Sequence, residues 1–365
     1  MKQVKKGSSF LKVLALVLAL TFALAACSKS GDGTSPTPVG SPGTGEPGTP
    51  AGNEPGTPAE LITLKTTTKK DCSSTPWVLG EVLGIFEKHG IQIEYTGEIA
   101  SGGDALAAIL NGTNDIGGGF PNSIATYIAA GSPIKGVVLN QVDPPAGSDV
   151  DPKYRHMRFY VSKSSGITSL ADLANYTGPI TISGRAPSCS SFIPSQIFKN
   201  NGLDASRLEF VPMDSDTASL QAVQRGDLVI AGIHPPFYYL ADGESDLVLL
   251  ADSADTGLGA ASGTTLFYFT EEFIANNPDT VQRFVDAIKE AQLYALEHPD
   301  EAIALTGAYI EKEINAVHYF YTGEDPFPVE LFQPWIDDLV DNGALTPGQI
   351  KPEDLFTLQF VGSNG

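Results

Sequence analysis

The side chains with ligand chemistry gather in four short stretches. The densest is Ser183-Gly184-Arg185-Ala186-Pro187-Ser188-Cys189-Ser190-Ser191, which leaves a strand-like run and enters a helix-like one. Arg185 carries a planar fork of donors that fits a carboxylate or sulfonate; the plainer reading is a surface ion pair on an acidic protein. Ser188, Ser190 and Ser191 add hydroxyls beside it. A second stretch is Cys72-Ser73-Ser74-Thr75-Pro76-Trp77. Ser73 and Ser74 stand at a helix start, where hydroxyls and free N–H groups favour an anion, and Trp77 is either a flat apolar wall or helix core. A third is Gly118-Gly119-Phe120-Pro121-Asn122-Ser123. Gly119 allows close backbone approach, and Asn122 and Ser123 are ligand donors or helix caps. The fourth is His234, which follows a strand-like run and precedes Pro235-Pro236. It points into a site as a donor or simply ends the strand.

Other chemistries find no pattern. No Gly-x-Ser-x-Gly elbow is present, and neither Cys-x-x-Cys nor His-x-x-x-His spacing offers a metal. No catalytic residue, metal or cofactor is expected, and the chain reads as a binding protein rather than an enzyme.

The elements that must hold these stretches alternate between two periodicities. Strand-like runs at 61–67, 91–95, 115–119 and 134–142 are separated by helix-like runs at 75–90, 101–112 and 121–130. The alternation restarts with strands at 158–162, 180–183, 208–213 and 228–231 and helices at 169–176, 190–201 and 217–224. After a strand at 266–270 the chain turns mainly helical, and Val281, Phe284, Val285, Ile288, Ala291 and Leu293 recur near helical spacing. This is an α/β chain with mostly parallel pairing. Two consecutive α/β units predict two lobes, and ligands in open α/β sheets lie beyond the carboxyl ends of strands. The boundaries fall at 60–157 for lobe 1, 158–270 for lobe 2, and 271–365 for a helical return packed on lobe 1 and the hinge.

The N-terminus reads differently. Lys2, Lys5, Lys6 and Lys12 precede an apolar core at 13–20 and the ending Leu24-Ala25-Ala26-Cys27. A basic start, a short apolar run and small residues make residues 1–26 a secretory signal. The ending resembles the bacterial lipobox, which makes Cys27 the lipidated first residue of an extracytoplasmic, membrane-anchored protein. Residues 27–59 are rich in Pro, Gly, Ser and Thr, and Glu46-Pro47-Gly48-Thr49-Pro50-Ala51 recurs at 54–59. Such a segment cannot bury a core and reads as a tether stiffened by proline. The net charge of −21 argues against nucleic acid, whose binding needs basic patches.

Four segments taken together resemble the substrate-binding proteins of ABC importers for nitrate, sulfonates, taurine and thiamine precursors. They are Gly84-Ile85-Phe86-Glu87-Lys88-His89-Gly90-Ile91; residues 105–117 with Gly131-Ser132-Pro133-Ile134; Ser165-Gly166-Ile167-Thr168-Ser169-Leu170-Ala171-Asp172-Leu173 with its followers at 202–204, 226–227 and 234–236; and residues 267–304 with His298-Pro299-Asp300-Glu301-Ala302. The resemblance implies a type II periplasmic-binding-protein-like fold with a ligand cleft between the lobes. It implies capture of a small anionic or zwitterionic organic solute by a monomer, and delivery to a membrane permease with its ATPase. A thiamine-precursor pyrimidine or aromatic acid, and a sensory lipoprotein without transport, stand as alternatives. Cys72 and Cys189 occupy corresponding loops on the two lobes. A disulfide there would staple the clamp shut, so two free or ligand-adjacent thiols are expected.

Overall fold

The computed structural model describes residues 61–68, 73–98 and 102–361. The readings of the signal segment, Cys27, the tether and Cys72 lie outside the described residues. Among those described, no helix is long and apolar enough to cross a membrane.

Lobe 1 opens with Ile62–Thr66 (β1), Thr75–Val82 (α1), Ile85–Lys88 (α2) and Ile91–Tyr95 (β2). The apolar residue β1 buries is Leu64, and β1 and β2 pair in parallel, Leu64 opposite Ile93. The single helix expected over 75–90 is two helices. Gly84 takes φ 68°, a left-handed conformation that interrupts helical hydrogen bonding and suits glycine. Gly102–Leu110 (α3), Gly117–Gly119 (β3), Pro121–Ala129 (α4) and Ile134–Leu139 (β4) complete this part of the lobe.

Lobe 2 contains Arg158–Ser162 (β5), Leu170–Ala174 (α5), Ile180–Ser183 (β6), Cys189–Asn200 (α6), Leu208–Val211 (β7), Asp216–Arg225 (α7), Ala231–Ile233 (β8) and Leu247–Asp252 (β9). Leu266–Thr270 (β10) then returns to lobe 1, between β3 and β4. The expected boundary at 270 therefore moves: β10 belongs to the first lobe's sheet. Glu271–Asn276 (α8), Pro278–Glu297 (α9), Pro299–Ile310 (α10) and Gln333–Asp341 (α11) follow.

The expectation of mostly parallel pairing is corrected. β1–β2 and β6–β7 are parallel. β10 runs antiparallel to both β3 and β4, and β5 antiparallel to both β8 and β9. A strand that re-enters a sheet from the other lobe is free to run against its neighbours, which a local crossover helix would not allow. Two strands are also shorter or shifted. Residue 142 only bridges to Tyr319, and the strand expected at 228–231 sits at Ala231–Ile233, with Ile230 making a lone bridge to Ile182.

Packing follows the apolar periodicities. The helix α9 buries Val281, Phe284, Val285, Ile288, Ala291 and Ala295, one stripe at helical spacing against Trp77, Phe86 and Phe267. Leu293 falls off that stripe and is exposed. Lobe 2 centres on Phe159, Ile182, Phe192 and Ile197, with Trp335 of α11 inserted among them.

Candidate functional site at the lobe junction

Two helix starts from opposite lobes touch. The first turn of α4 supplies Asn122, whose Nδ2 donates to the Ser188 carbonyl (3.2 Å), and Ser123, whose Oγ donates to the Pro187 carbonyl (2.9 Å). Proline at the first helical position of α4 costs no hydrogen bond, because that N–H has no helical partner. On the other side, Ser188 and Ser191 cap α6 reciprocally. The Ser190 Oγ accepts from the Arg185 backbone N–H (3.0 Å) and lies 2.7 Å from the Ser188 Oγ. Both helix starts bring unpaired N–H groups and positive dipole ends to the junction. The Arg185 side chain is exposed at its rim.

Beside these helix starts lies a group of rings and one sulfur. Cys189, the first residue of α6, is a free, buried thiol, and its Sγ is 3.4 Å from the His234 Nε2. Asp216, in the first turn of α7, accepts from the His234 backbone N–H (2.9 Å) and faces its Nδ1 at 3.5 Å. His156, on the connection into β5, meets the His234 ring edge-on at 5.6 Å between centroids. It stacks on His318 at 5.0 Å and lies 5.5 Å from Phe120, the residue before α4. His318 is held in the irregular stretch after α10, next to the Tyr319 bridge to Val142.

Burial governs the charges here. It keeps His156 well below the ordinary imidazole range, helped by the nearby His318 and His234, and pushes His318 down to about 3. Burial alone would lower His234 too, but Asp216 and the Cys189 sulfur outweigh it and hold His234 well above its ordinary value. Asp143, whose carboxylate accepts from the His156 backbone N–H at 2.7 Å, is raised by burial to about 7 despite the Ser253 and His156 hydrogen bonds and Arg155.

The structure thus brings Asn122, Ser123, Ser188, Ser190, Ser191, Cys189 and His234 to one junction, with Arg185 at its edge. Other expected residues lie elsewhere. Trp77 is fully buried in the core of lobe 1, with Phe86, Phe267 and Phe284 at ring-centroid distances of 5.2–5.9 Å. The flat-wall expectation is corrected, because no face of the ring is left for a ligand. Ser74 is buried at the start of α1, and Thr75 beside it lies 3.1 Å from Thr306 of α10. This ties that helix start into lobe 1. Ser73 stands half-buried next to it. Gly119 pairs with Leu266 in the sheet, and a Cβ there would meet Ile124 only at ordinary contact distance. The close approach expected of it belongs to Gly117, where a Cβ would lie 2.3 Å from the Tyr268 ring.

His156 and His318 were not legible as site residues. They sit far apart in sequence from each other and from Cys189, so no spacing motif joins them. The one local signal is that His156 stands just before the first strand of lobe 2, where the chain crosses between lobes.

A family model described as NMT1/THI5 like matches residues 71–302. No curated protein matches the chain in sequence. Among solved structures, the periplasmic aliphatic sulphonate binding protein SsuA from Escherichia coli superposes with a TM-score of 0.59 at 18% identity, over 82% of this chain and 92% of its own. The alkanesulfonate-binding protein SsuA from Xanthomonas axonopodis pv. citri, bound to MOPS, gives 0.59 at 19%, over 80% and 97%. The periplasmic nitrate-binding protein NrtA from Synechocystis PCC 6803 gives 0.61 at 12%, over 79% and 83%. At these identities the likeness concerns the fold, and it is the two-lobed fold described above. With more than half its length matched by that one model, the chain belongs to the NMT1/THI5-like family.

Proposed function

We propose that this protein is the extracytoplasmic solute-binding lipoprotein of an ABC importer. It captures a small anionic or zwitterionic organic solute and passes it to a membrane permease driven by an ATPase, without catalysis of its own. The observation that carries this reading is the meeting of the α4 and α6 starts across the lobe junction, through Asn122–Ser188 and Ser123–Pro187. Two helix N-termini and a run of serine hydroxyls form an anion-favouring surface, and a ligand there touches both lobes at once. Sulfonate and nitrate are the ligands named for the structural neighbours, which supports the same class here. Lipidation at Cys27 and a tether over 27–59 would keep the clamp within reach of its permease.

The test is a thermal-shift panel of sulfonates, taurine, nitrate, carboxylates and pyrimidines on the purified protein. A cognate solute at 100 times its Kd adds about 2.7 kcal/mol of stability. Arg185→Ala is expected to weaken an anionic solute by about 1.5–3 kcal/mol, the range for a hydrogen bond to a charged group. If every anion leaves the midpoint unmoved while a pyrimidine raises it, the anion reading is wrong.

A further inference from the structure

The histidine and cysteine side chains at the junction have a chemistry that an organic anion does not use. One nitrogen each from His156 and His234 and the sulfur of Cys189 all lie within 4.8 Å of one another. They come from the entry to β5, the start of α6 and the loop after β8, so three separate segments converge on one point. In a tetrahedral site with bonds near 2.0 and 2.3 Å, a nitrogen and a sulfur ligand stand about 3.5 Å apart. The Cys189 Sγ and His234 Nε2 are already 3.4 Å apart.

A second observation separates this group from histidines that merely fill a core. The Nε2 atoms of His156 and His318 are buried with no hydrogen-bond partner, at residue exposures of 0% and 2%. Buried polar atoms are paired as a rule, and an orphan is costly. Two orphans on stacked rings beside a free thiol leave buried nitrogens that a bound ion would satisfy. Asp216 supplies the outer support: it faces the His234 Nδ1 and so directs Nε2 inward, the arrangement that orients ligating imidazoles. The His234 side chain is 18% exposed, which gives an ion a way in. Imidazole with thiolate selects late transition metals over magnesium or calcium.

We propose that His156, Cys189 and His234 form a binding site for a late divalent transition-metal ion, with Zn²⁺ as the probe. Three protein ligands leave a tetrahedral ion one open position, which a solvent or solute oxygen fills. The thiol is bound as thiolate and its proton leaves to solvent, so no redox step is involved. This inference does not depend on the organic-solute reading, and the titrations below contain no organic solute, so each fails separately.

The full chain, stripped of metal with a chelator, is titrated with Zn²⁺ and, for its spectrum, with Co²⁺. One equivalent is expected to bind, with a sulfur-to-cobalt charge-transfer band in the near ultraviolet. That band should vanish in Cys189→Ser and persist in Cys72→Ser. His234→Ala should weaken Zn²⁺ binding at least 100-fold, and Asp216→Asn 10–100-fold, the range for an outer-shell support. Zn²⁺ should also protect Cys189 of the unaltered chain from alkylation, a reading that needs no variant to fold. The proposal is overturned if Cys189 alkylates equally fast with and without Zn²⁺, or if Cys189→Ser and His234→Ala bind Zn²⁺ as the unaltered chain does.

Discussion

Trp77 has every face occupied inside lobe 1, so its contribution is to folding. Replacing it with Ala removes ring contacts to Phe86, Phe267 and Phe284 and leaves a cavity, at a cost of about 3–5 kcal/mol. The expected outcome is a large fall in the denaturation midpoint with solute affinity of the folded fraction unchanged; weakened affinity at full folding would return Trp77 to the binding site. Asp172 gives a prediction of opposite kind. Its exposed carboxylate accepts from Thr168 and Ser169, backbone and hydroxyl alike, and these hydrogen bonds hold its pKa below the ordinary value. A depressed pKa means that the folded state binds the proton less readily than the unfolded one. The associated stability is present above the unfolded value, near pH 4, and is lost as pH falls through the folded one. Asp172→Asn should therefore lower the melting point at pH 7 and flatten its decline below pH 4. A melting curve that declines with acid as steeply as the unaltered chain's would remove Asp172 as the cause. At this scale the sequence was legible wherever a residue acts through its neighbours in the chain. The stretch 183–191 read as the entry to a helix because such signals are local, although its Ser188 and Ser191, read as ligand hydroxyls, cap that helix instead. Trp77 did not resolve, since core and ligand wall demand the same residue type. His156 and His318 were silent because their meaning comes from a contact between distant segments.

The elements obey the same division. Helical stripes such as the one on α9 repeat within a single element, and the sequence displays them. Strand direction depends on where the chain re-enters a sheet, and β10 re-enters after a whole lobe. The glycine run of β3 belongs to that same event. Tyr268 of β10 lies across Gly117 so closely that an added Cβ would stand 2.3 Å from Tyr268 Cζ. Gly117→Ala is expected to cost about 1–3 kcal/mol by overpacking. With Tyr268→Ala in the same chain, the combined loss should be smaller than the sum of the two, since contacting residues couple by about 0.5–3 kcal/mol. Strict additivity in a chemical-denaturation cycle would mean that the ring is not the obstacle. The helix α11 shows what no periodicity announces. Its Trp335 stacks 3.7 Å from Phe192 of lobe 2, while its Nε1 donates to the Ala261 carbonyl at 2.8 Å. Lys199 of α6 pairs with Asp338 and Asp341 on the same helix, and α11 also packs on α4 of lobe 1. An amphipathic helix is readable; that it leans on both lobes is not.

Across the whole molecule the question is what holds the lobes together at the junction. Among the described residues, direct polar links there run from Asn122 to the Ser188 carbonyl and from Ser123 to the Pro187 carbonyl. Each neutral hydrogen bond contributes a net ~0.5–1.5 kcal/mol, so losing both shifts the balance of closed and open forms by roughly 2 kcal/mol, or about 30-fold. The core contacts of each lobe lie elsewhere, so this change should act on the distance between lobes rather than on their folding. The double variant Asn122→Ala/Ser123→Ala is therefore expected to lose no more than about 2 kcal/mol of folding stability, apart from the Asn122 contact to the Ser123 N–H. It should show a larger radius of gyration by small-angle X-ray scattering. A solute that binds only the closed form then loses affinity in proportion to the closed fraction, and saturating solute should restore the compact dimension. An unchanged radius of gyration with unchanged affinity would mean that α11 alone carries closure. In that case Trp335→Ala, which removes its stack on Phe192, is the variant that should open the molecule.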